Sequence, residues 1–497
     1  MEQVFFGILS AFQFTNLLFV AAGVAIGIGI GAIPGLAPPL AIAVAIPLTF
    51  SVSPLAAIGM LIGVMKGSGF GGAISATLLN TPGTAAAVAT TLDGYPLAQK
   101  GKPRKALKMA LYSSVFGDTC SDMVLILVSV PIAAVALKMG PIEIASLLTI
   151  SISLIASLAG ESVTKSLLAA FLGLLLTTIG MDPETASPRM TFDLLELYNG
   201  LPISAVAIGM LAIAEVFIQL EKSREKSASD VLIEELSGAE NKRVSFKEFW
   251  ACRKTLARGA LFGTGIGALP GLGAALAAFM SYAAARQASD KPDEFGTGKL
   301  EGIAATESAN SAVVGANLIP LLTLGIPGNV AAALLIGAFT IHGIQPGPLL
   351  FTNRPNLVYG LFASMIMANV MNLTLGNIGL RVFAKVVSLP RQIIYPSIVI
   401  LCISGVYLAE GSLFAVGVMI AMGVLGYLMR KLGLSIVCFI IGYVLGPMIE
   451  LTYRQSILLL RYNPSAIFQH PFALLMFVAT PIVIWRIMAS NKKKQRQ

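Results

Sequence analysis

Long apolar runs separated by short polar or charged segments recur along most of the chain, as in "SLLAAFLGLLLTTIG", "LPISAVAIGMLAIAEVFIQL" and "PFALLMFVATPIVIWRIMA". Roughly 20 such residues cross the hydrocarbon core of a bilayer as a helix. The pattern predicts spans near 14–36, 106–137, 141–159, 162–180 and 200–219. A second set falls near 258–285, 357–380, 393–410, 412–430, 433–450 and 471–489. Two stretches, 37–92 and 301–350, are too interrupted by Gly, Pro and polar residues to read as simple spans. The fold class that follows is an all-α polytopic membrane protein of about twelve transmembrane helices, with two re-entrant or broken-helix elements.

The interruptions repeat. "GIGAIPGL" (29–36) returns as "GIGALPGL" (265–272), changed only where Ile33 becomes Leu269. "SATLLNTPGTAAAVA" (75–89) is echoed by "IPLLTLGIPGNVAAA" (319–333) around Pro82-Gly83 and Pro327-Gly328. "TLDGYP" (91–96) likewise precedes its echo "TIHGIQP" (340–346). The first pair is offset by 236 residues and the second by 245, a drift that a polar insertion near 286–300 accounts for. Three landmarks in one order indicate a duplication. Its first repeat is 1–220, a polar linker occupies 221–258, and 259–497 holds the second repeat with extra spans and a basic tail.

Charge adds an orientation. Residues 1–65 contain no Lys or Arg, whereas Lys100, Lys102, Arg104, Lys105 and Lys108 crowd the loop after Pro82-Gly83. The linker is rich in both signs and the tail reads "NKKKQRQ". Cytoplasmic loops carry the excess of basic residues, which places all three inside. The equivalent loop of the second half, "HGIQPGPLLFTNRPN", carries only Arg354. Equivalent loops on opposite sides are the expectation for an inverted-topology repeat. The N-terminus is then external and the C-terminus cytoplasmic.

Composition agrees with this class. Hydrophobic residues make up 56% of the 497 and charged residues 12%, about half the charged share of a soluble globular protein. The net charge of +9 lies in clusters between apolar runs and sets topology; it is not a nucleic-acid signal. Cys120, Cys252, Cys402 and Cys438 are far apart and read as small apolar packing residues. No basic n-region opens the chain, so the first span is expected to persist.

Irregular backbone at membrane depth survives only when it is shielded by protein or lines a wet cavity. The block with Gly29, Gly31, Pro34 and Gly35, and its repeat with Gly265, Gly267, Pro270 and Gly271, admit two readings. One is close helix packing through small residues; the other is a helix broken to expose backbone dipoles. "GSGFGG" (67–72) satisfies a dinucleotide-loop pattern at Gly67, Gly69 and Gly72 but has no preceding strand.

Polar company favours broken helices. Asn80, Thr81 and Thr84 surround Pro82-Gly83, and Thr323 and Asn329 flank Pro327-Gly328. Each element reads as a helix end, a tight turn and a new helix whose free N–H groups suit an anion. The expected substrate-binding residues are Asn80, Thr81, Pro82, Gly83, Thr84, Pro327, Gly328 and Asn329.

For a coupling cation, Ser308, Asn310, Ser311 and Thr323 offer uncharged oxygens, or serve as helix-packing residues. Asp118 and Asp122 share one helix face and are candidates for an ion or proton path, as, more weakly, are Glu307 and Glu161. Glu215 reads as a solvated carboxylate near a cytoplasmic helix end. With only His342 and His470, no zinc motif, no nucleophile elbow and no Walker loop, the sequence reads as a non-enzyme with no metal site. No cofactor is expected beyond Na⁺ or H⁺ as the coupling ion.

The blocks "LLNTPGTAAAVATTLDGYPLAQKGKPRKAL" and "ATESANSAVVGANLIPLLTLGIPGNVAAALLIGAFTIHGIQPGPLLF" resemble the large membrane subunit of the bacterial tripartite tricarboxylate transporters, the TctA family. The likeness runs from about residue 17 to at least 450. The resemblance implies a secondary transporter of the bacterial inner membrane, driven by Na⁺ or H⁺. It also implies a small membrane subunit and a periplasmic solute-binding protein as partners. The sequence reading is therefore cation-coupled uptake of di- or tricarboxylates, with the N-terminus periplasmic. The rivals are a passive channel for organic anions and a non-transporting membrane scaffold.

Overall fold

A computed structural model describes residues 2–34, 36, 38–158, 162–222, 244–386, 391–462 and 464–494. The first half runs α1 (Glu2–Ala11), α2 (Phe14–Ala32), α3 (Pro38–Ala45), α4 (Pro54–Leu79), α5 (Ala87–Gln99), α6 (Pro103–Ala136), α7 (Pro141–Leu158) and α8 (Val163–Thr177). A small hairpin, β1 (Gly180–Met181) with β2 (Pro188–Arg189), leads to α9 (Ile203–Ile208) and α10 (Ala214–Lys222), joined by one wide helical turn. The second half holds α11 (Phe246–Ala251), α12 (Arg253–Gly267), α13 (Gly273–Gln287), α14 (Leu300–Ala316), α15 (Leu318–Leu324), α16 (Val330–Ile341) and α17 (Pro348–Asn353). It closes with α18 (Pro355–Val386), α19 (Arg391–Glu410), α20 (Leu413–Lys431), α21 (Ile436–Tyr462) and α22 (Pro471–Lys494). Among the described residues, eight helical spans are long and apolar enough to cross a membrane, and the chain is a multi-pass membrane protein.

Two expected features change. Residues 37–92 contain α4, an unbroken helix whose interior is wholly buried, and 258–285 is two helices with a turn at 268–272. The glycines that made α4 look interrupted form a stripe. A Cβ at Gly63, Gly67 or Gly71 would lie 2.4 to 2.7 Å from backbone oxygens of α2. From the α2 side, a Cβ at Gly23, Gly27 or Gly31 would lie 2.1, 2.3 or 2.5 Å from the carbonyl oxygen of Met60, Val64 or Ser68 respectively. Small residues one turn apart let two backbones touch, which is how helices gain packing energy without a hydrophobic drive in lipid. Gly29 and Gly31 therefore belong to α2, and the chain leaves the helix only at Ile33 and Pro34.

The same register recurs in the second half. Gly259, Gly263 and Gly267 of α12 meet Ala305, Ala309 and Val313 of α14, each contact displaced from its first-half counterpart by the offsets 236 and 245 read from the sequence. Gly265 and Gly267 are likewise helical, and Gly265, like Gly29, faces open space. In both pairs the contacts advance together along the two chains, so α2 runs parallel to α4 and α12 parallel to α14.

Packing then crosses between halves: α6 lies along α14 and α12, whereas α18 lies along α2 and α4. Gly117 and Gly315 place α6 parallel to α14. Leu55 meets Gly360 and Gly59 meets Ser364, so α4 is parallel to α18. The hydrogen bonds Lys108–Asn377 (2.9 Å) and Asn369–Asp122 (2.8 Å) make α6 antiparallel to α18.

Much of the linker, 223–243, lies outside the described residues, as do Gly35, Glu161 and the last three residues of the basic tail. The linker's return begins at α11, where Ser245 and Glu248 satisfy each other's backbone amides in a capping box. Glu248 also pairs with Lys105 of the basic loop, and that ammonium holds its carboxyl below the usual range.

Candidate functional site

Four helices begin at one cavity. Pro38 (α3), Ala86 before α5, Gly273 (α13) and Val330 (α16) all line a space of about 420 Å³. Its far walls come from Met65 and Gly69 of α4, Ile155 of α7 and Val437 and Ile441 of α21.

Local chemistry explains why the chain breaks there. Helix α4 ends at Asn80, which takes the left-handed conformation (φ 55°), and α15 ends at Gly325 in the same conformation (φ 73°). Each is followed two residues later by proline, Pro82 and Pro327, which lacks the amide that would extend a helix. Glycine comes next because nothing larger fits. A Cβ on Gly83 would sit 2.6 Å from Gly31 O, and one on Gly328 would sit 2.4 Å from Asn317 Oδ1. New helices then start under side-chain caps. Ala87 N donates to Thr84 Oγ1 at 3.0 Å, and Ala332 N donates to Asn329 Oδ1 at 2.8 Å. Gly271 (φ +89°), in the turn with Pro270, donates its amide to Gly328 O at 2.9 Å and so ties the α12–α13 turn to the second break.

The arrangement suits an anion. A helix N-terminus carries about half a positive elementary charge, so four converging ends supply about two. Among the described lining residues there is no Lys, Arg, Asp or Glu. Thr84, Asn310, Asn317 and Asn329 supply the polar side chains of the wall, and Asn317 Nδ2 is a buried donor with no hydrogen-bond partner.

Of the residues singled out in the sequence, Thr84, Gly271, Asn310, Gly328 and Asn329 meet at this wall. Asn80 and Thr81 are exposed and off it, and Asn80 serves as a turn former. Pro82, Gly83 and Pro327 shape the turns, as Pro34 does after α2. Ser308 donates to Leu256 O (2.8 Å), joining α14 to α12, and Thr323 donates to Ile319 O (2.7 Å) within its own helix. Ser311 is buried within α14. Glu215 is not solvated: it is buried, and Arg430 donates to it at 2.6 Å.

Asp118 and Asp122 lie away from the cavity wall, fully buried on α6 beside a residue that the sequence reading missed. Lys66 of α4 donates to Asp122 Oδ2 at 2.6 Å and to Asn369 Oδ1 at 2.8 Å, and lies 3.6 Å from Asp118 Oδ1. The signal was there: Lys66 is the only charged residue in α4, and a lone charge within a span marks function by default. Asn317 gave no such signal, because an amide in "VGANLIP" has no periodicity or motif to mark it.

The tripartite tricarboxylate transporter TctA family matches residues 17–441. An Agrobacterium vitis protein described as an uncharacterized 52.8 kDa protein in the TAR-I ttuC' 3' region is 35% identical over 452 residues, 90% of this chain and 88% of that protein. A second from the same organism, described as an uncharacterized protein in the TAR-II ttuC' 3' region, is 36% identical over 236 residues, 47% of this chain and 98% of its own. No solved structure matches.

Proposed function

Because the chain belongs to the tripartite tricarboxylate transporter TctA family, we propose that it is the translocating subunit of a cation-coupled importer of di- or tricarboxylate anions. It would work in the bacterial inner membrane with a periplasmic solute-binding protein and a small membrane subunit, the partners that the family's tripartite character implies. The substrate sits in the cavity at Thr84, Asn310, Asn317, Gly328 and Asn329. One observation carries this reading: four helix N-termini face one space that contains no basic side chain among its described lining. Such a site binds a multiply charged anion through dipoles and amides, strongly enough to hold it and without a fixed countercharge that would trap it.

The same reading takes the two halves as an inverted-topology repeat. Its support is the duplicated contact register, the exchange of α6 and α18 between halves, and their antiparallel course. In that arrangement α2–α3 and α12–α13 are re-entrant hairpins entering from opposite faces, and their tips meet where the substrate lies. The family is one of transporters, not enzymes.

The test is uptake of labelled di- and tricarboxylates into proteoliposomes containing all three proteins, under separately imposed Na⁺ and pH gradients. Accumulation against a gradient is expected. Equilibration without concentration would instead make the protein a facilitator.

A further inference from the structure

Three carboxyls and one ammonium are sealed together in the middle of the protein. Lys66 (α4), Asp118 and Asp122 (α6) and Glu307 (α14) are each 1% exposed or less. Lys66 and Asp122 form a closed pair: Asp122 Oδ2 accepts from Lys66 Nζ and from Asn369 Nδ2, both within 2.8 Å. That leaves two acids and no second cation. Neither oxygen of Asp118 has a hydrogen-bond partner, although it is fully buried, and Glu307 has only hydroxyls, from Thr90 and Ser114 (3.0 Å). Fully ionised, the cluster would carry two uncompensated negative charges in a dry interior, where each costs several kcal/mol. Something positive must enter with the acids.

The hydrogen bonds around Glu307 show what enters. Thr90 Oγ1 contacts both Glu307 Oε1 and Thr306 Oγ1, and Thr306 Oγ1 also reaches the carbonyls of Gly302 and Ile303. With Glu307 ionised, Thr306 donates to Thr90 and Thr90 donates to the carboxylate. With Glu307 protonated, the carboxyl donates to Thr90, Thr90 donates to Thr306, and Thr306 donates to a carbonyl. Either sense leaves every group partnered, so Glu307 gains or loses one proton without losing a hydrogen bond. A metal cation would need several free oxygens converging on one point, whereas here Ser114 donates to Glu307 Oε2 and Lys66 already occupies the Asp118–Asp122 side.

The geometry points to Glu307 as the residue that carries the coupling proton, with Asp118 as a second protonatable acid beside the fixed Lys66–Asp122 pair. This rests on the proposed carboxylate transport and specifies its coupling ion. The link to the substrate is short. Asn310, one turn from Glu307 on α14, lines the cavity, and Thr90 lies on α5, which begins directly after Ala86 of the cavity wall. The charged or titratable groups around Glu307 are Asp118 from α6, Lys66 beyond it on α4, and Asp93 on α5, the last engaged by Tyr282 (2.9 Å) and the amides of Gly296, Gly298 and Lys299. A di- or tricarboxylate arriving in the cavity favours the neutral form of Glu307. By reciprocity, the neutral acid favours the anion to the same degree.

The experiment combines infrared difference spectroscopy on the purified chain with transport in proteoliposomes of the three proteins. At neutral pH the wild type is expected to show the C=O stretch of a protonated carboxylic acid, diminished in Glu307→Gln. For each proton coupled, accumulation of labelled di- and tricarboxylates in the wild type should change about tenfold per unit of imposed pH difference, and Glu307→Gln should not respond. Glu307→Asp, which keeps the acid, serves if the amide variant does not fold, and should retain both the band and the response. Absence of the protonated-acid band at neutral pH, an undiminished band in Glu307→Gln, or wild-type accumulation that follows Na⁺ alone would each overturn the assignment. If no carboxylate is carried under any gradient, the functional reading fails, while the spectroscopic result still decides the protonation of Glu307.

Discussion

Thr84 and Asn329, 245 positions apart in the chain, stand at equivalent places in the two repeated blocks and line one cavity. Each accepts the amide three residues ahead, Ala87 at 3.0 Å and Ala332 at 2.8 Å, and each stands just ahead of a helix that starts at the same space. A threonine and an asparagine thus perform one structural task, fixing a free N-terminus at a chosen point. Their side chains also remain part of the surface an anion would touch.

Capping and binding can be separated by charge. Asn329→Asp keeps an acceptor for Ala332 N but sets a carboxylate in the anion site. Its melting temperature in detergent should stay within a few degrees of wild type, while carboxylate uptake falls more than tenfold. Asn329→Ala should lose the cap as well, at about 1 kcal/mol, and melt lower. Equal uptake by the Asp variant and wild type would remove Asn329 from the site.

Asn80 separates turn chemistry from binding. It is exposed and left-handed. Asn80→Gly should therefore transport like wild type, whereas Asn80→Val should cost about 1–2 kcal/mol because a branched side chain opposes that conformation. The check is a thermal melt alongside uptake; loss of uptake in the stable Gly variant would restore Asn80 as a ligand.

Neighbouring glycines should differ sharply. A methyl at Gly27 or Gly263 would lie 2.3 Å from a carbonyl oxygen of the partner helix, while one at Gly29 or Gly265 would meet no atom of another helix within 4 Å. Gly27→Ala and Gly263→Ala should lose about 1–3 kcal/mol or more through overpacking. Gly29→Ala and Gly265→Ala should express and melt like wild type, as read by size-exclusion fluorescence after heating.

Breaking the Lys66–Asp122 pair from one side should be far worse than removing both charges. Lys66→Met leaves a buried carboxylate uncompensated, a loss of about 3–5 kcal/mol, and the double variant Lys66→Met/Asp122→Asn should recover much of it. Additive losses in the melting temperatures would show that the two residues do not interact.

The contact between linker and basic loop should be acid-labile. Lys105 lowers the pKa of Glu248, so the pair contributes above the carboxylate's unfolded value and its contribution fades as pH falls through the folded one. Trp250 on α11 reports it by fluorescence in a Trp485→Phe background. The transition should lie below about pH 4.3 and vanish in Glu248→Gln.

How much of this was legible beforehand follows from the physics of each signal. Apolar runs and basic loops marked the helices, because lipid and the membrane surface act on composition. Pro82-Gly83 and Pro327-Gly328 marked real breaks, because proline cannot extend a helix. The glycines at 59–72 misled: a small residue signals either a turn or a close neighbour, and only the partner helix decides. In α4 that partner was α2. Lys66 was legible as a lone charge in an apolar run, but the partners it meets, the helix starts of α3 and α13 at the cavity and the placement of the Asn317 amide depend on contacts distant in the chain, which no local pattern encodes.

The central claim is that both breaks grip one anion, and site-directed protection tests it most directly. Thr84→Cys and Asn329→Cys, each in a Cys120→Ala background, are labelled with a small thiol reagent in membranes with and without a panel of di- and tricarboxylates. The account predicts that the same carboxylate slows labelling at both positions, with matching concentration dependence. Protection at neither position by a carboxylate that the protein demonstrably transports, or at one position alone, would contradict it.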